Sequence, residues 1–308
     1  MANLHKPSYI SAMTMPTHPP TPFVPTLLWN ARLLMVERAT EDAEACANWY
    51  SHLLGDPLVR LSPEIWQVRG VERWMLFRSG QKKTVPMIAF ALPTQELWSA
   101  YRAHLKLIDL PLHPVSPELQ ILLGEHTFGL RDPDNRTLLF CVSPQASDAE
   151  SLPPALRPAR LQHFVCASMQ TLEMLEFYRD VLGFMESDRV VDTDGDLSSA
   201  FVRSDAEHHS FAVFRAPHTG PDHHSYELPN WNAIRDWADH CGDLEIPIWW
   251  GPGRHGVGNN LFFMIEDPDG YKVEFSTELE HMTPDQAFRE WPHGPRALNL
   301  WGNAWMRS

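Results

Sequence analysis

Two histidines and one glutamate in the C-terminal half of the chain have the types and surroundings of metal ligands. His163 lies in the apolar stretch RLQHFV, His223 in DHHSYEL and Glu274 in KVEFS. Each stretch has the alternating pattern of a half-buried strand, in which neighbouring side chains point to opposite faces. Two neutral imidazoles and one carboxylate form a ligand set that Fe(II) oxygenases favour, that is chemically suited to Mn(II) as well, and that leaves coordination positions open.

The adjacent histidines of DHHSYEL leave the register of that strand open. His223 and Ser225 share one face while His224 and Tyr226 share the other, so a slip of one residue exchanges them. Matching the opening strands of the internal repeats favours His223 as the ligand, with His224 pointing outward. One carboxylate leaves a divalent ion with a net positive charge, which favours a bidentate anionic substrate such as a singly deprotonated catechol.

An internal repeat supports this interpretation, because one copy has apolar residues at two of the matched positions. His163 matches Met35 in RLLMVE, and Glu274 matches Leu139 in RDPDNRTLLF. Taken singly, a histidine on an apolar strand is more often a hydrogen-bonded core residue, and a glutamate in a strand is usually solvated. The apolar residues at both matched positions favour a ligand site in the C-terminal copy.

The repeat also predicts the elements that must position these residues. The segment 31–56 aligns without a gap with 159–184, and RDPDNRTLLF matches EDPDGYKVEF near the two block ends. Helical spacing of apolar residues predicts amphipathic helices at 95–109 and 231–243, and β-rich runs lie between turn residues. The sequence therefore predicts an α+β fold of four βαβββ modules, paired into two domains.

Composition places the boundaries of these domains. Residues 1–27 are rich in proline and threonine and predict an N-terminal arm. Residues 28–144 form a first domain without a metal site, 145–160 a linker and 161–280 the catalytic domain. The tail, 281–308, carries tryptophans that are expected to dock on a core or on another subunit.

Charge and composition exclude several classes of partner. The chain of 308 residues has a net charge of −14, so it lacks the basic face that nucleic acids require and is disfavoured at anionic membranes. No apolar run approaches the roughly 20 residues that span a bilayer, and no signal-peptide pattern is present. The four cysteines have no CxxC spacing, which predicts reduced, buried thiols in a cytoplasmic protein. A small molecule is the expected partner.

These residues resemble the type I extradiol ring-cleavage dioxygenases of the vicinal oxygen chelate superfamily, such as catechol 2,3-dioxygenases and dihydroxybiphenyl dioxygenases. The resemblance runs from about residue 30 to 280 and is strongest over GPGRHGVGNNLFFMIEDPDGYKVEFSTEL. It implies two cup-shaped mixed sheets with outer helices, and Fe(II), or Mn(II), bound by His163, His223 and Glu274 inside the C-terminal cup. It also implies a catechol and O2 as substrates and a homo-oligomeric enzyme.

The resemblance assigns roles to two further histidines. His209, in EHHSFAVF, matches the acid–base histidine that takes a proton as substrate binds, with His208 as the alternative. His255, in GRHGVG, matches a histidine that hydrogen-bonds the substrate oxygen. Met264 departs from the family pattern, because a tyrosine normally stands nine residues after the loop histidine and donates a hydrogen bond to the substrate, whereas a thioether donates none.

Two other functions compete with ring cleavage. Isomerases of the glyoxalase type generally use four protein ligands, and counting from His163 the separation between His223 and Glu274 leads to Phe214, which is not a ligand. Met264 favours a third interpretation, a catalytically altered or non-catalytic homologue. The sequence does not distinguish monocyclic from bicyclic catechols. Four aromatic residues could line a pocket, although core packing explains each of them: Trp249, Trp250, Phe201 and Phe262.

Overall fold

The chain forms two mixed β-sheets flanked by helices. The structure is a computed structural model and describes residues 26–144 and 157–306, so most of the expected N-terminal arm and linker lies outside the described residues. The predicted α+β class is confirmed. Among the helices of the described residues, none is long and apolar enough to cross a membrane.

The N-terminal half contains seven strands and three helices in its described residues. The strands are β1 (Arg32–Thr40), β2 (Leu58–Ser62), β3 (Ile65–Gly70), β4 (Arg73–Ser79), β5 (Thr84–Leu92), β6 (Thr127–Arg131) and β7 (Thr137–Val142). The helices are α1 (Ala43–Leu54), α2 (Gln95–Leu107) and α3 (Pro117–Leu123).

The C-terminal half has nine strands over its described residues. They are β8 (Arg160–Ser168), β9 (Met185–Val191), β10 (Leu197–Arg203), β11 (Phe211–Arg215), β12 (Gly220–Glu227), β13 (Ile248–Arg254), β14 (Leu261–Glu266), β15 (Lys272–Thr277) and β16 (Arg289–Pro292). The helices are α4 (Thr171–Glu176), which continues into a π-helical turn (Phe177–Val181), α5 (Trp231–Asp243) and α6 (Pro295–Leu298).

The two sheets repeat one strand order. The N-terminal sheet runs β2-β3-β4-β1-β5-β7-β6, and the C-terminal sheet runs β13-β14-β15-β12-β8-β11-β10-β9-β16. The opening strands of two modules lie antiparallel at each centre, β1 with β5 and β8 with β12. Three modules are complete βαβββ units. The second module is shorter, because an isolated bridge between His113 and Gly129 stands in place of a further strand in this described part of the chain.

Side chains cap the N-termini of α1 and α2, the helices that follow β1 and β5. The Asp42 carboxylate accepts a hydrogen bond from the Ala45 N–H at 2.9 Å, and the Thr94 hydroxyl oxygen accepts one from the Leu97 N–H at 3.3 Å. Gly55 ends α1 in the left-handed conformation, with φ at 70°, which glycine adopts without steric cost. These local signals explain why the helices were visible in the sequence.

Alternation along the strands separates the buried residues into one large core and two smaller clusters. The large core joins helix residues to the outer faces of both sheets. One small cluster surrounds Met35 and Leu139 on the inner face of the N-terminal sheet, which we call the N-terminal cup. The other lies beside His163 and Glu274 on the inner face of the C-terminal sheet, which we call the C-terminal cup.

Reciprocal hydrogen bonds connect the two halves through their DPD turns. The Tyr50 hydroxyl, on α1, donates to Asp267 at 3.2 Å, and the Tyr178 hydroxyl, next to α4, donates to Asp132 at 3.2 Å. The buried Arg38 also pairs with Asp267, at 2.9 Å. Buried carboxylates need such partners. Both copies of the turn therefore have the same structural use, and this explains why aspartate occurs in both.

Candidate metal centre

Three adjacent strands of the C-terminal sheet bring the predicted ligands together. His163 lies on β8, His223 on β12 and Glu274 on β15, and β12 is the middle strand of the three. Ser225 is the register partner of His163 on one side and of Glu274 on the other. Because side chains two residues apart in a strand share a face, His223 lies on the same face as Ser225 and both partners.

The polar atoms of these three side chains converge. His163 Nε2 is 3.3 Å from His223 Nε2 and 3.8 Å from Glu274 Oε1. His223 Nε2 is 3.7 Å from Glu274 Oε2, and all three residues are buried. Atoms at these separations can each lie about 2 Å from a common point, the length of a metal–nitrogen or metal–oxygen bond. The three residues could therefore hold one ion.

Each of these histidines is oriented by the residue that precedes it, which the sequence analysis missed. His163 Nδ1 is 2.5 Å from the Gln162 amide oxygen, and His223 Nδ1 is 2.5 Å from an Asp222 carboxylate oxygen. Because both acceptors are oxygens, each Nδ1 donates a hydrogen bond, and the Nε2 of each imidazole is turned toward the other. A glutamine and an aspartate directly before the two histidines were the available signal.

The electrostatics of this group fit a divalent cation. Burial, reinforced by the neighbouring His209 and His223, lowers the pKa of His163 well below its ordinary value, so His163 is neutral. Two imidazole lone pairs and a buried carboxylate facing one another repel unless a positive charge lies between them. The donor types suit iron, manganese or zinc. The assignment of the three residues as metal ligands remains a proposal.

Glu274 is held as a carboxylate by its surroundings. Burial opposes ionisation of Glu274, but interactions with His255 and His223 and a hydrogen bond from Ser225 outweigh it and lower the pKa. The Ser225 hydroxyl donates to Oε1 at 3.1 Å, and the Asn260 amide donates to the same oxygen at 3.3 Å. Glu274 is thus an ionised donor at the centre of the group, where Leu139 stands in the other copy.

His209 lies in the same cavity, and His208 does not. The His209 ring centroid is 4.3 Å from that of His163, and His209 lines the cavity beside His223 and His255. Burial and the neighbouring histidines lower the pKa of His209 well below its usual range. His208 is fully buried behind it, with Nε2 at 3.0 Å from Asp188 Oδ2. This placement agrees with the choice of His209 over His208. The acid–base role of His209 stays a prediction.

His255 approaches the group from the loop before β14. Its Nδ1 donates to the Leu298 carbonyl oxygen in the C-terminal tail, and its Nε2 is 3.4 Å from Glu274 Oε2. The Phe262 ring stacks on the imidazole with centroids 3.8 Å apart. The tail and β14 therefore fix the ring so that Nε2 faces the cavity.

His224 lies on the opposite face of β12, as the register predicts, but it does not point to solvent. It is fully buried between the two halves, where its ring stacks on Tyr271 at 5.4 Å and on Tyr50 at 6.0 Å. Burial, followed by the charge of Arg38, lowers the pKa of His224 well below its usual value. The expected outward position was wrong because this face of the sheet packs against the helix of the other half.

Apolar side chains form most of the remaining cavity wall. No lysine or arginine is among the described residues that line it. Met264 is fully buried there, directly across the strand pair from Glu274, so the position that carries a tyrosine in the resembling family does face the site. The apolar lining residues include Val165, Phe201, Phe214, Val257, Met264 and Leu298.

The aromatic residues considered from the sequence divide between the cavity and its supports. Phe201 lines the cavity, as one of the expected residues. Trp250 packs on Phe262, with centroids 4.5 Å apart, behind His255. Trp249 packs against Trp305 of the tail at 4.5 Å. The tail tryptophan thus docks on the protein's own surface.

Strand register identifies Ala212, rather than Phe214, as the position that corresponds to Glu274 in the preceding module. Ser225 pairs with Glu274, and its counterpart Val165 pairs with Ala212. The count from His163 was wrong by two residues because the last module is two residues longer between its matched strands. An alanine supplies no metal ligand, so the conclusion from the count is unchanged.

Comparisons with known proteins agree with this geometry. Residues 160–275 match the glyoxalase/bleomycin resistance protein/dioxygenase superfamily. Metapyrocatechase 2 of Cupriavidus necator is 27% identical over 194 residues, which cover 56% of this chain and 59% of that protein. Biphenyl-2,3-diol 1,2-dioxygenase 3 of Rhodococcus globerulus is 30% identical over 149 residues, 44% of this chain and 70% of that protein. The matched part of the chain spans between about two fifths and three fifths of the length of the first curated relatives it matches.

Two relatives are named for different metals. The iron-dependent extradiol dioxygenase of Rhodococcus jostii (strain RHA1) is 28% identical over 46% of this chain and 50% of that protein. The manganese-dependent 2,3-dihydroxybiphenyl 1,2-dioxygenase of Geobacillus genomosp. 3 is 27% identical over 44% of this chain and 45% of that protein. The homoprotocatechuate 2,3-dioxygenase of Arthrobacter globiformis has the same fold, with a TM-score of 0.73 at 23% identity over 92% of this chain and 91% of that chain.

Proposed function

Because the chain belongs to the extradiol dioxygenases of the glyoxalase/bleomycin resistance protein/dioxygenase superfamily, we propose that it cleaves the ring of a catechol with O2 in an Fe(II)-dependent reaction. Cleavage falls at the bond next to the two hydroxyl groups. The observation that carries the proposal is the convergence of His163, His223 and Glu274 in a buried cup. Two histidines and a carboxylate, with room for further ligands, are the donor set of such oxygenases.

The chain supplies a neutral–neutral–anionic set of donors. When bound, a divalent iron ion provides an electrophilic centre that holds the diol and dioxygen together and passes electrons between them. Gln162 and Asp222 keep the Nε2 lone pairs of His163 and His223 directed inward. The carboxylate of Glu274 supplies one negative charge, so the occupied site keeps an excess of positive charge that favours an anionic diol.

Two further histidines are proposed to act on the substrate. His209 is neutral in the buried cavity, and it can take the proton that a diol hydroxyl loses on binding. Nε2 of His255 faces the cavity and can hold a substrate oxygen by a hydrogen bond. The apolar wall excludes water around these groups, which strengthens their electrostatic interactions.

The lining of the cavity supports catechols with uncharged substituents. A carboxylate on the substrate would enter an apolar wall that offers no lysine or arginine among the described lining residues, and an unpaired buried charge is costly. Met264 offers no hydrogen bond to the ring. An uncharged alkyl- or aryl-substituted catechol therefore fits better than an acidic one.

Anaerobic loading with Fe(II), followed by a panel of catechols and oxygen, tests the proposal. A coloured ring-fission product with stoichiometric oxygen uptake is expected, with neutral catechols turned over faster than acidic ones. Parallel loading with Mn(II) identifies the metal that gives the higher turnover. A protein that binds iron tightly at this site and consumes no oxygen with any catechol would instead favour a catalytically altered homologue, as Met264 suggests.

The proposal extends to a cytoplasmic, self-associating protein. All four cysteines are free and buried, and burial raises the pKa of the Cys141 and Cys166 thiols to about 12, so they stay protonated and unreactive. Self-association is what the resemblance to the extradiol dioxygenases implies. Light scattering of the purified protein should give a mass of two or more times 35.3 kDa, and the mass of a single chain would contradict self-association.

A further inference from the structure

Two buried residues, His208 and Asp188, lie in a row behind His209. His209 Nδ1 is 3.0 Å from His208 Nδ1, and His208 Nε2 is 3.0 Å from Asp188 Oδ2. His208 and Asp188 are fully buried, and His209 is the member that reaches the cavity. The line runs from the carboxylate through both imidazoles to the cup.

Asp188 is ionised because several donors converge on it. Arg289 donates to Oδ1 at 2.8 Å, and the Trp291 indole N–H donates to Oδ2 at 2.9 Å. Burial opposes ionisation, but the interactions with His208 and Arg289 outweigh it and lower the pKa of Asp188. A full negative charge therefore lies 3.0 Å from His208 Nε2.

This charge determines where the protons of the two imidazoles lie. A lone pair on His208 Nε2 would face the Asp188 carboxylate, so the proton stays on Nε2. His208 Nε2 and Asp188 Oδ2 form a close ion-pair contact rather than a well-aligned hydrogen bond, so the contact is mainly electrostatic. Nδ1 of His208 is then an acceptor, and it receives the Nδ1 proton of His209. Nε2 of His209 is left with its lone pair.

The described residues of the N-terminal half contain no counterpart of the pair Asp188 and His208. Phe201 pairs with Ala212 across β10 and β11, whereas the corresponding pair across β3 and β4 is Gln67 and Leu76. The separations are 11 and 9 residues, so the C-terminal connection is two residues longer, and it carries both histidines. By the same register, Asp188 corresponds to Val59, which is exposed.

We propose that Asp188 and His208 are positioning residues that fix the tautomer of His209, so that its Nε2 carries a lone pair into the cavity. This inference rests on the proposed function for the use that His209 makes of that nitrogen. The tautomer itself is a property of the folded chain and is measurable without turnover. An aspartate that holds the tautomer of a histidine is a general device in acid–base sites, here lengthened by one imidazole.

The test is nitrogen-15 NMR of the full-length, metal-free protein labelled at histidine, with His209→Gln used to identify the His209 signals. Wild type should have a protonated Nδ1 and an unprotonated Nε2 at His209. Asp188→Asn and His208→Leu should mix the two tautomers. In the Fe(II)-loaded protein both should lower kcat roughly 10–100-fold while KM for the catechol is unchanged.

Two further variants separate the tautomer from simple packing. His208→Asn keeps an oxygen that can accept the Nδ1 proton of His209, so it should preserve the wild-type tautomer better than His208→Leu. Trp291→Phe removes another hydrogen bond from Asp188 but leaves both histidines, and it should preserve the tautomer.

An unchanged His209 tautomer in both Asp188→Asn and His208→Leu would overturn the inference. A wild-type protein with the expected tautomer but no ring cleavage would support it and would count against the proposed function, so the two failures are distinguishable.

Discussion

The two cups of this molecule share one strand framework and differ in what fills it. When the two sheets are matched by strand register, Met35 corresponds to His163, Met87 to His223 and Leu139 to Glu274. All three positions of the N-terminal cup are therefore apolar, and a hydrophobic cluster occupies the space. Three side-chain differences on matching strands therefore distinguish the packed core of the N-terminal cup from the convergent donors of the C-terminal cup.

The side chains around the two cups also differ in size, and those of the N-terminal cup are larger. Leu76 corresponds to Ala212, so the N-terminal cup has a larger side chain where the C-terminal cup leaves room. Leu123 of α3 packs into the N-terminal cluster, whereas Ala297 of α6 borders the C-terminal cavity. The lesson is that a binding site in this fold needs both polar donors and the removal of bulk beside them.

The largest expected effect is the loss of the metal in Glu274→Ala. This change removes the anionic donor and leaves two histidines, so iron content after loading and desalting should fall to background. Elemental analysis by mass spectrometry measures this. Circular dichroism should remain that of wild type, because the alanine is accommodated in a cup that already borders a cavity. Equal iron content in Glu274→Ala and wild type would contradict the assignment of Glu274.

His209→Gln should impair turnover while leaving the metal in place. His209 lines the cavity but is not one of the three residues whose ligand atoms converge, so iron content should be unchanged. Loss of a general base lowers the rate by roughly 10²–10⁴-fold, which steady-state oxygen uptake measures. A parallel loss of iron and activity in this variant would mean that His209 binds the metal instead.

Asp222→Ala should weaken metal binding without abolishing it. The imidazole of His223 loses the acceptor that holds its Nδ1 proton, and such losses cost roughly 10–100-fold in metal affinity. Titration against a competing chelator measures the affinity. Asp222→Asn is the matched control, since its amide oxygen can still accept the proton, and it should lose less. Equal affinities for wild type and Asp222→Ala would remove this residue from the site.

Leu139→Ala should have the smallest effect on the metal, although it affects stability. The change deletes a buried side chain of the N-terminal cup and should lower the free energy of unfolding by about 2–5 kcal/mol. Denaturant titration measures the loss, and iron content of the folded protein should equal that of wild type. Loss of iron from folded Leu139→Ala would mean that the two cups are not independent.

Much of the fold could be predicted because repeats and periodicity record local structure. Helix α5 matches the run predicted at 231–243, and α2 ends two residues before the end predicted at 95–109. The pairing of polar with apolar residues across the repeat singled out His163 and Glu274, which the structure brings together with His223. These signals lie within single strands and helices.

The features that the sequence did not reveal depend on contacts between segments that are distant in the chain. Met87 was not recognised as the counterpart of His223, because its offset of 136 residues differs from the 128 that relates Met35 to His163. The contact between Asp188 and His208 joins strand β9 to the connection between β10 and β11, two segments whose proximity no local pattern shows. The burial of His224 was missed for the same reason, since a single chain segment does not reveal what packs against its outer face.

Anomalous scattering at the iron edge from crystals grown with Fe(II) tests the central claim most directly, because it locates the ion without reference to activity. The account predicts one strong peak in each chain, about 2 Å from Nε2 of His163, Nε2 of His223 and a carboxylate oxygen of Glu274, and none among Met35, Met87 and Leu139. An iron peak elsewhere, or a cup without iron in a protein that carries one ion per chain in solution, would contradict it.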